Sequence, residues 1–425
     1  MYKAIHYGLN LTFALALVLQ GSCLENSDES EPPSSTCIPD KTAWEQNARE
    51  AFETNCGLCH GTTPNYSAPY SLLDYDFLIA GSPGERPVDK IISTLIAGVM
   101  PPAPYPGPNH TDYDTMLLWA SCGLAHPDYQ AGLTANRDVF LPSEPPPEDA
   151  LVWDILASSF EVKPTWTNHY ECFMFDVPID EPHLAKRFET IIDEGRVLHH
   201  IVLYRDTDHS YDDRTSFKCT GTPGDSDFLY AWAPGQGPLQ FPDGGLLMEP
   251  GERYILQIHY NNAAGITDVR DQSGVRIHYS QPKPDDAVYS MFVPGPNLFF
   301  VPPMSGLSVT GKCKIREDTT LFTGMPHMHE IGQEFHSEVM HEDGTVENII
   351  DLTGWSFEAQ LFYDFRVPLK AGDEVRTTCV FFNDNQSRIV IFGPHTDNEM
   401  CFNFAYVTPP IPNRFCNDSQ EFESF

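Results

Sequence analysis

The sequence predicts a multidomain chain, with one small all-α domain followed by two all-β, antiparallel sandwich domains. Three observations lead there. In 425 residues, 37 Pro and 29 Gly stand against 20% charged residues, a balance that favours loop-rich β structure over long helices. Good helix formers gather in the first third, at residues 41–55 (KTAWEQNAREAFETN) and 111–125 (TDYDTMLLWASCGLA). A Pro-rich stretch at 140–147 then separates that region from short β-type runs that continue to about Cys416. Hydrophobic residues at 41% and aromatics at 12% exclude a disordered chain, and the length exceeds one compact core. With 25 Lys and Arg against 60 Asp and Glu, the net charge of −35 repels phosphate backbones, which excludes a nucleic-acid partner.

The elements follow in order. Lys3 and His6 precede an apolar run at 9–19 that is too short to span a bilayer, so 1–22 reads as a secretion signal. Gly21-Ser22-Cys23 at its end resembles a bacterial lipoprotein signal, although Gln20 stands where Leu is usual. The resemblance implies lipidation of Cys23, membrane contact only through that anchor, and a place in the bacterial cell envelope, as a periplasmic or outer-membrane lipoprotein. Residues 23–36 are an acidic, Ser/Pro-rich tether, and 37–130 form the small helical domain.

Within that domain, Cys56-Gly-Leu-Cys59-His60 has the pattern of covalent c-type haem attachment. Two thiols one helical turn apart capture the vinyl groups, and the adjoining His faces the iron. Met100, beside Pro101-Pro102, is the expected sixth ligand, with Met116 the weaker alternative. Residues 37–127 thus resemble the class I cytochromes c, in which a thioether ligand raises the potential.

The expected linker covers 131–150, the first β domain 151–284 and the second 285–425, divided near Gln281-Pro-Lys-Pro284. Residues 253–260 and 374–382 have strand composition, and Glu342-Asp-Gly-Thr345 is a hairpin turn between 338–341 and 346–350. Sixteen His are present, and three groups of them stand out. His199 and His200 are adjacent, so on a regular strand they face opposite sides and share a metal only through a bulge or different ring nitrogens. His259 lies in Gln-Ile-His-Tyr260, where a core histidine is the ordinary reading. His327 and His329 are two apart and share a face, which presents two imidazoles to one metal.

In the order His-His, Gln-Ile-His-Tyr, His-x-His, then Asn398-Glu399-Met400-Cys401, with Tyr230-Ala-Trp232 between the first two, residues 165–416 resemble the type II copper, ascorbate-dependent monooxygenases. The resemblance implies two copper ions in two jelly-roll-like domains. It places one copper on His199, His200 and His259, and the catalytic, dioxygen-binding copper on His327, His329 and Met400. It also implies disulfides Cys172–Cys219, Cys313–Cys416 and Cys379–Cys401, while a further family bridge lacks its cysteines at Tyr204 and near Gly221. Pairing Cys37 with Cys122 then leaves Cys23 for lipid and Cys56 and Cys59 for haem, which uses all 11 cysteines.

The expected function is hydroxylation of a C–H bond of a small organic substrate. The electrons come from an external donor, through the fused haem, from ascorbate, or both. Where the peptide-amidating branch has an Arg that grips a carboxylate this chain has Met325, and where it has a Tyr this chain has Phe404, so a glycine-extended peptide is disfavoured. The acidic balance leaves a cationic amine open. The alternative is a non-catalytic electron-transfer or copper-binding protein. A zinc hydrolase is disfavoured because Met is a poor zinc ligand.

Overall fold

The computed structural model describes residues 38–425 except 66–67, 69, 82–85, 97–99, 101–107, 109, 121, 123–138, 167–168, 207–208, 210, 212–214, 220, 225, 234–235, 263–264, 353–354, 356, 358–359, 396 and 413–414. The expected signal, the tether, Cys23 and Cys37 lie outside the described residues. Among the described residues, no helix is long and apolar enough to cross a membrane.

Helical turns Lys41–Ala43, a π-helical Trp44–Ala48 and helix Arg49–His60 run on without a break. Asp40 caps the start, its carboxylate accepting from the Ala43 N–H at 2.7 Å. The helix expected over 41–55 therefore extends to His60 and carries Cys56 and Cys59 on its last turns. Short Tyr75–Leu78, then Pro87–Ile96 and His110–Ala120 complete the block. The closing helix stops short of 125, and Cys122 just beyond it adopts a left-handed φ of 57°. Trp44 lies 4.6 Å from Trp119, and Phe52 meets Trp119 edge-on. Together with Tyr113, Met116 and Leu117 they form a core that, among the described residues, stays within this block. Cys122 is disulfide-bonded; its expected partner Cys37 lies outside the described residues.

Two antiparallel sandwiches follow. In the first, a five-stranded sheet in the order Ser216–Lys218, His169–Asp176, Arg253–Tyr260, Leu198–Asp206, Asp227–Trp232 packs over strands Leu151–Leu156, Gly274–Ser280, His183–Ile191 and Gly244–Met248. In the second, Val346–Leu352, Gly332–Met340, Glu374–Asn383, Ser305–Lys314 and Ser419–Ser424 pack over Phe402–Thr408, Thr319–His327 and Tyr363–Leu369. Alternating burial along Tyr363–Leu369 marks a sheet with one face on the core. Cys172–Cys219, Cys313–Cys416 and Cys379–Cys401 are disulfides.

The two sandwiches are not simply in series. Strand Gly244–Met248 pairs in parallel with Ala287–Pro294, and one ten-stranded sheet runs through both halves. The approach requires glycine, because a Cβ at Gly244 would overlap the Ala287 carbonyl. Nor is the start of the Pro-rich stretch a free spacer. Phe140 is buried in the core and its N–H donates to the Phe362 carbonyl at 2.8 Å. The expected hairpin forms, with Gly344 at a φ of 85° and the His341 N–H donating to Thr345 O at 2.9 Å. Strand Ser419–Ser424 lies within the expected 285–425 domain but beyond the β-type runs that end near Cys416. It is an exposed edge strand, so its sequence carries no core pattern.

Candidate active site

His199 and His200 need a broken ladder to face one site, and the ladder is broken there. His259 stands opposite His200 while Tyr260 stands opposite Leu198, so His199 is the extra residue of a β-bulge. The Nδ1 atoms of His199 and His200 lie 3.1 Å apart, and those of His200 and His259 lie 3.3 Å apart. Nitrogens sharing a metal at about 2.0–2.1 Å in a tetrahedral shell stand about 3.3 Å apart, so this is the spacing of a coordination sphere. Tyr170 stacks on His259 at 4.0 Å and 3°, which fixes the ring. Burial drives the pKa of His199 down to about 4 and those of His200 and His259 well below the usual imidazole range. All three are neutral and can offer lone pairs.

His327 ends strand Thr319–His327, whose ladder shifts register between Phe322 and Gly324, with Thr323 at a φ of 36°. Its Nδ1 lies 2.5 Å from Gln360 Oε1, and His329 Nδ1 lies 3.0 Å from the Asn398 carbonyl. Amide oxygens only accept, so each Nδ1 carries the proton and each Nε2 is left free. Here the free nitrogen is Nε2, whereas the first cluster turns its Nδ1 atoms together. The two rings stand 5.0 Å apart at 86°. Burial and the neighbouring His329 bring His327 down to about 3, and burial also lowers His329.

Met400 reaches the same place from the segment before strand Phe402–Thr408. Glu399 ties it to His329: its buried carboxylate accepts the N–H groups of His329 and Ile331, both at 2.8 Å, and that of Met400. Burial pushes this carboxyl up to about 8 even so. Cys401, the next residue, is clamped to strand Glu374–Asn383 through Cys379.

Both clusters face one cavity of about 360 Å³, whose lining includes His200, His327, His329 and Met400. Phe357 stands between them, its ring 6.5 Å from that of His199 and 5.9 Å from that of His329. Gly221 closes the two halves together, since a Cβ there would lie 2.7 Å from the Pro394 carbonyl. Where the family bridge lacks its cysteines, Tyr204 hydrogen-bonds Thr222, and both line the cavity.

In the helical block, Cys56 and Cys59 are unpaired thiols on helix Arg49–His60. Burial and then Cys59 push the Cys56 thiol up to about 12, and burial raises Cys59. These are not the acidified thiols of a disulfide-exchange site. His60 Nδ1 lies 2.9 Å from the Tyr70 carbonyl, which leaves Nε2 free. Free thiols one turn apart and an oriented imidazole fit a covalently held haem. Met100 is 41% exposed, with 97–99 and 101–107 outside the described residues, while Met116 is fully buried in the helical core.

Gln360, Phe357 and the bridging role of Glu399 were not visible in the sequence. Gln360 and Phe357 lie in a loop with no distinguishing pattern. Glu399 lies inside the Met400 motif, and a carboxylate beside a thioether ligand was the one signal available.

The family models described as the N-terminal and C-terminal domains of copper type II ascorbate-dependent monooxygenase match residues 153–267 and 286–425. The DBH-like monooxygenase protein 2 of Mus musculus is 26% identical over 339 residues, covering 71% of this chain and 54% of that protein. The dopamine beta-hydroxylase of Rattus norvegicus is 25% identical over 305 residues, 64% and 48% of the two chains. The tyramine beta-hydroxylase of Caenorhabditis briggsae is 24% identical over 278 residues, 59% and 47%. The chain spans about half the length of the curated relatives it matches.

Proposed function

Because this chain belongs to the copper type II ascorbate-dependent monooxygenases, we propose that it hydroxylates a C–H bond of a small organic substrate with dioxygen. One observation carries the reading: two clusters of neutral imidazoles, one presenting Nδ1 and the other Nε2, meet at a single cavity lined by His200 of the first, by His327 and His329 of the second, and by Met400. His199, His200 and His259 hold one copper, and His327, His329 and Met400 the other. Copper, when bound, supplies one-electron redox chemistry and dioxygen activation. The residues of the chain do the rest. Met400 adds a soft sulfur that favours the cuprous state, the Gln360 and Asn398 oxygens hold the two rings in one tautomer, and Glu399 fixes the segment of Met400 against that of His329.

The proposal extends to the helical block. Cys56, Cys59, His60 and Met100 would hold a c-type haem, which would supply one-electron transfer from an external donor, relaying or replacing ascorbate. Asn65, whose N–H donates to the Cys59 carbonyl at 2.8 Å, supports this reading by packing beside Gly195, four residues before His199. A tethered donor also raises its own effective concentration at the copper sites. The disulfides suit an oxidising compartment, and export with a lipid anchor at Cys23 in a bacterial envelope completes the proposal.

Elemental analysis and an optical spectrum of the purified mature protein, with labelled dioxygen turnover beside them, test it. Two coppers, one c-type haem and label in a hydroxylated product are expected. Haem without copper under copper-replete conditions would remove the monooxygenase.

A further inference from the structure

We propose that the cavity takes an uncharged aromatic substrate, neither an ammonium nor a carboxylate; the proposal rests on the monooxygenase reading of the same site. The wall beside His327 is hydrocarbon. Phe404 stacks on Phe228 at 4.7 Å and 24° and meets the His327 ring edge-on at 5.4 Å. Phe402 adjoins Phe404 at 6.1 Å, Met325 lines the same wall, and Phe357 stands beside His329. A ring entering here lies against aromatic faces and edges beside both imidazole clusters. A cavity of about 360 Å³ suits a molecule of small size.

Among the described lining residues there is no Asp, Glu, Lys or Arg. The polar groups are imidazoles, amides and hydroxyls, of which Gln360 is bound to His327 and Gln257 to the Gly221 carbonyl. The two carboxylates nearest in sequence to Met400 are already engaged. Glu399 receives three backbone N–H groups, and Asp397 pairs with Arg388 at 3.6 Å. The net charge of −35 therefore does not reach the described wall as a counterion. An ammonium would shed its water and find no carboxylate among the described lining residues, and one face of Phe404 is already covered by Phe228, which limits cation–π compensation. A carboxylate would find no guanidinium among the described lining residues, and Met325 stands in this wall. The relatives named for dopamine and tyramine act on amines; this cavity favours the same ring without the charge.

Three probes with one ring and one chain length separate the cases: 2-phenylethanol, phenethylammonium and 3-phenylpropionate. Their binding to the oxidised, copper-loaded protein is measured by calorimetry without reductant, so that no turnover occurs. We expect 2-phenylethanol to bind at least about tenfold more tightly than either ion, about 1.4 kcal/mol. Equal or tighter binding of either ion, or no saturable binding of any probe, overturns the proposal. Phe404→Asp, checked for unchanged copper content, should turn the preference toward phenethylammonium, while Phe404→Tyr should leave it with the alcohol. Turnover separates this from failure of the function. Tight binding of the alcohol without hydroxylation keeps the cavity's preference and removes the monooxygenase. Preferential hydroxylation of the amine keeps the monooxygenase and removes the proposal.

Discussion

At the scale of single residues, the two histidine clusters differ in what stands behind each ring. His200 has imidazoles as neighbours at its Nδ1, at a spacing that one metal shared with His199 and His259 would fit. His327 instead has Gln360 behind it, which commits Nδ1 and frees Nε2. Replacing Gln360 by Ala leaves the ring but releases its tautomer and angle. Copper affinity at that site, or activity, should fall by about 10–100-fold while the three-histidine site keeps its metal. Copper titration followed by paramagnetic resonance distinguishes the two sites, and equal loss at both would contradict the assignment. Met400→Ala tests the thioether more sharply. Hydroxylation should be abolished, yet the copper on His199, His200 and His259 should remain. Full activity in that variant would place the dioxygen site elsewhere.

At the scale of elements, one buried carboxylate organises the end of the second sandwich. Asp373 accepts the Lys370 N–H at 2.8 Å, the Glu342 N–H at 3.2 Å and a contact from His341 Nδ1 at 3.1 Å. It thereby joins the turn between strands Tyr363–Leu369 and Glu374–Asn383 to the neighbouring hairpin. Burial raises its pKa, but the Lys370 N–H, His341 and the Glu342 N–H outweigh it, and the net shift is downward. A depressed folded pKa means the stabilisation is present above the unfolded value of about 3.9 and fades as pH falls through the folded one. Asp373→Asn should cost about 1–3 kcal/mol at neutral pH, and the gap between variant and parent melting temperatures should close in acid. A gap that is constant with pH would show that the charge is not what matters. Elements of this kind were legible where the pattern is local. Strand Arg253–Tyr260 and the hairpin around Gly344 follow from residue type and spacing. The bulge at His199 was legible only as a condition, because nothing in Leu-His-His-Ile specifies which residue the partner strand will skip. Gln360 and Phe357 were not legible at all, since these loop residues reach His327 and His329 through tertiary packing that no local pattern encodes.

At the scale of the whole molecule, packing joins the two β halves across the expected boundary. The Pro-rich stretch and the sequence near 281–284 suggest two boundaries of similar kind, but packing makes only the first a boundary between cores. Met325, Phe322, Phe402 and Tyr406 of the second half share one apolar cluster with Leu198, Tyr230 and Leu256 of the first. Tyr406 Oη donates to the Leu229 carbonyl at 2.7 Å, and the Phe362 N–H donates to Gln236 Oε1 at 2.7 Å. The helical core, by contrast, draws among the described residues on 43–120 alone. Two cooperative units should therefore appear in calorimetry, one helical and one for the entire β region, although the histidine clusters sit in different halves of the latter. Copper binds the folded state, so at about 1,000 times its dissociation constant each site contributes about 4 kcal/mol to that unit. Chelation should lower the β transition as a whole and leave the helical one in place. Met400→Ala, retaining only the three-histidine copper, should still show metal stabilisation of both sandwiches together. If the β region instead melted in two steps, with copper on the first half leaving the second unmoved, the shared sheet and core would not couple the halves, and the cavity between the two clusters could change its width without unfolding either.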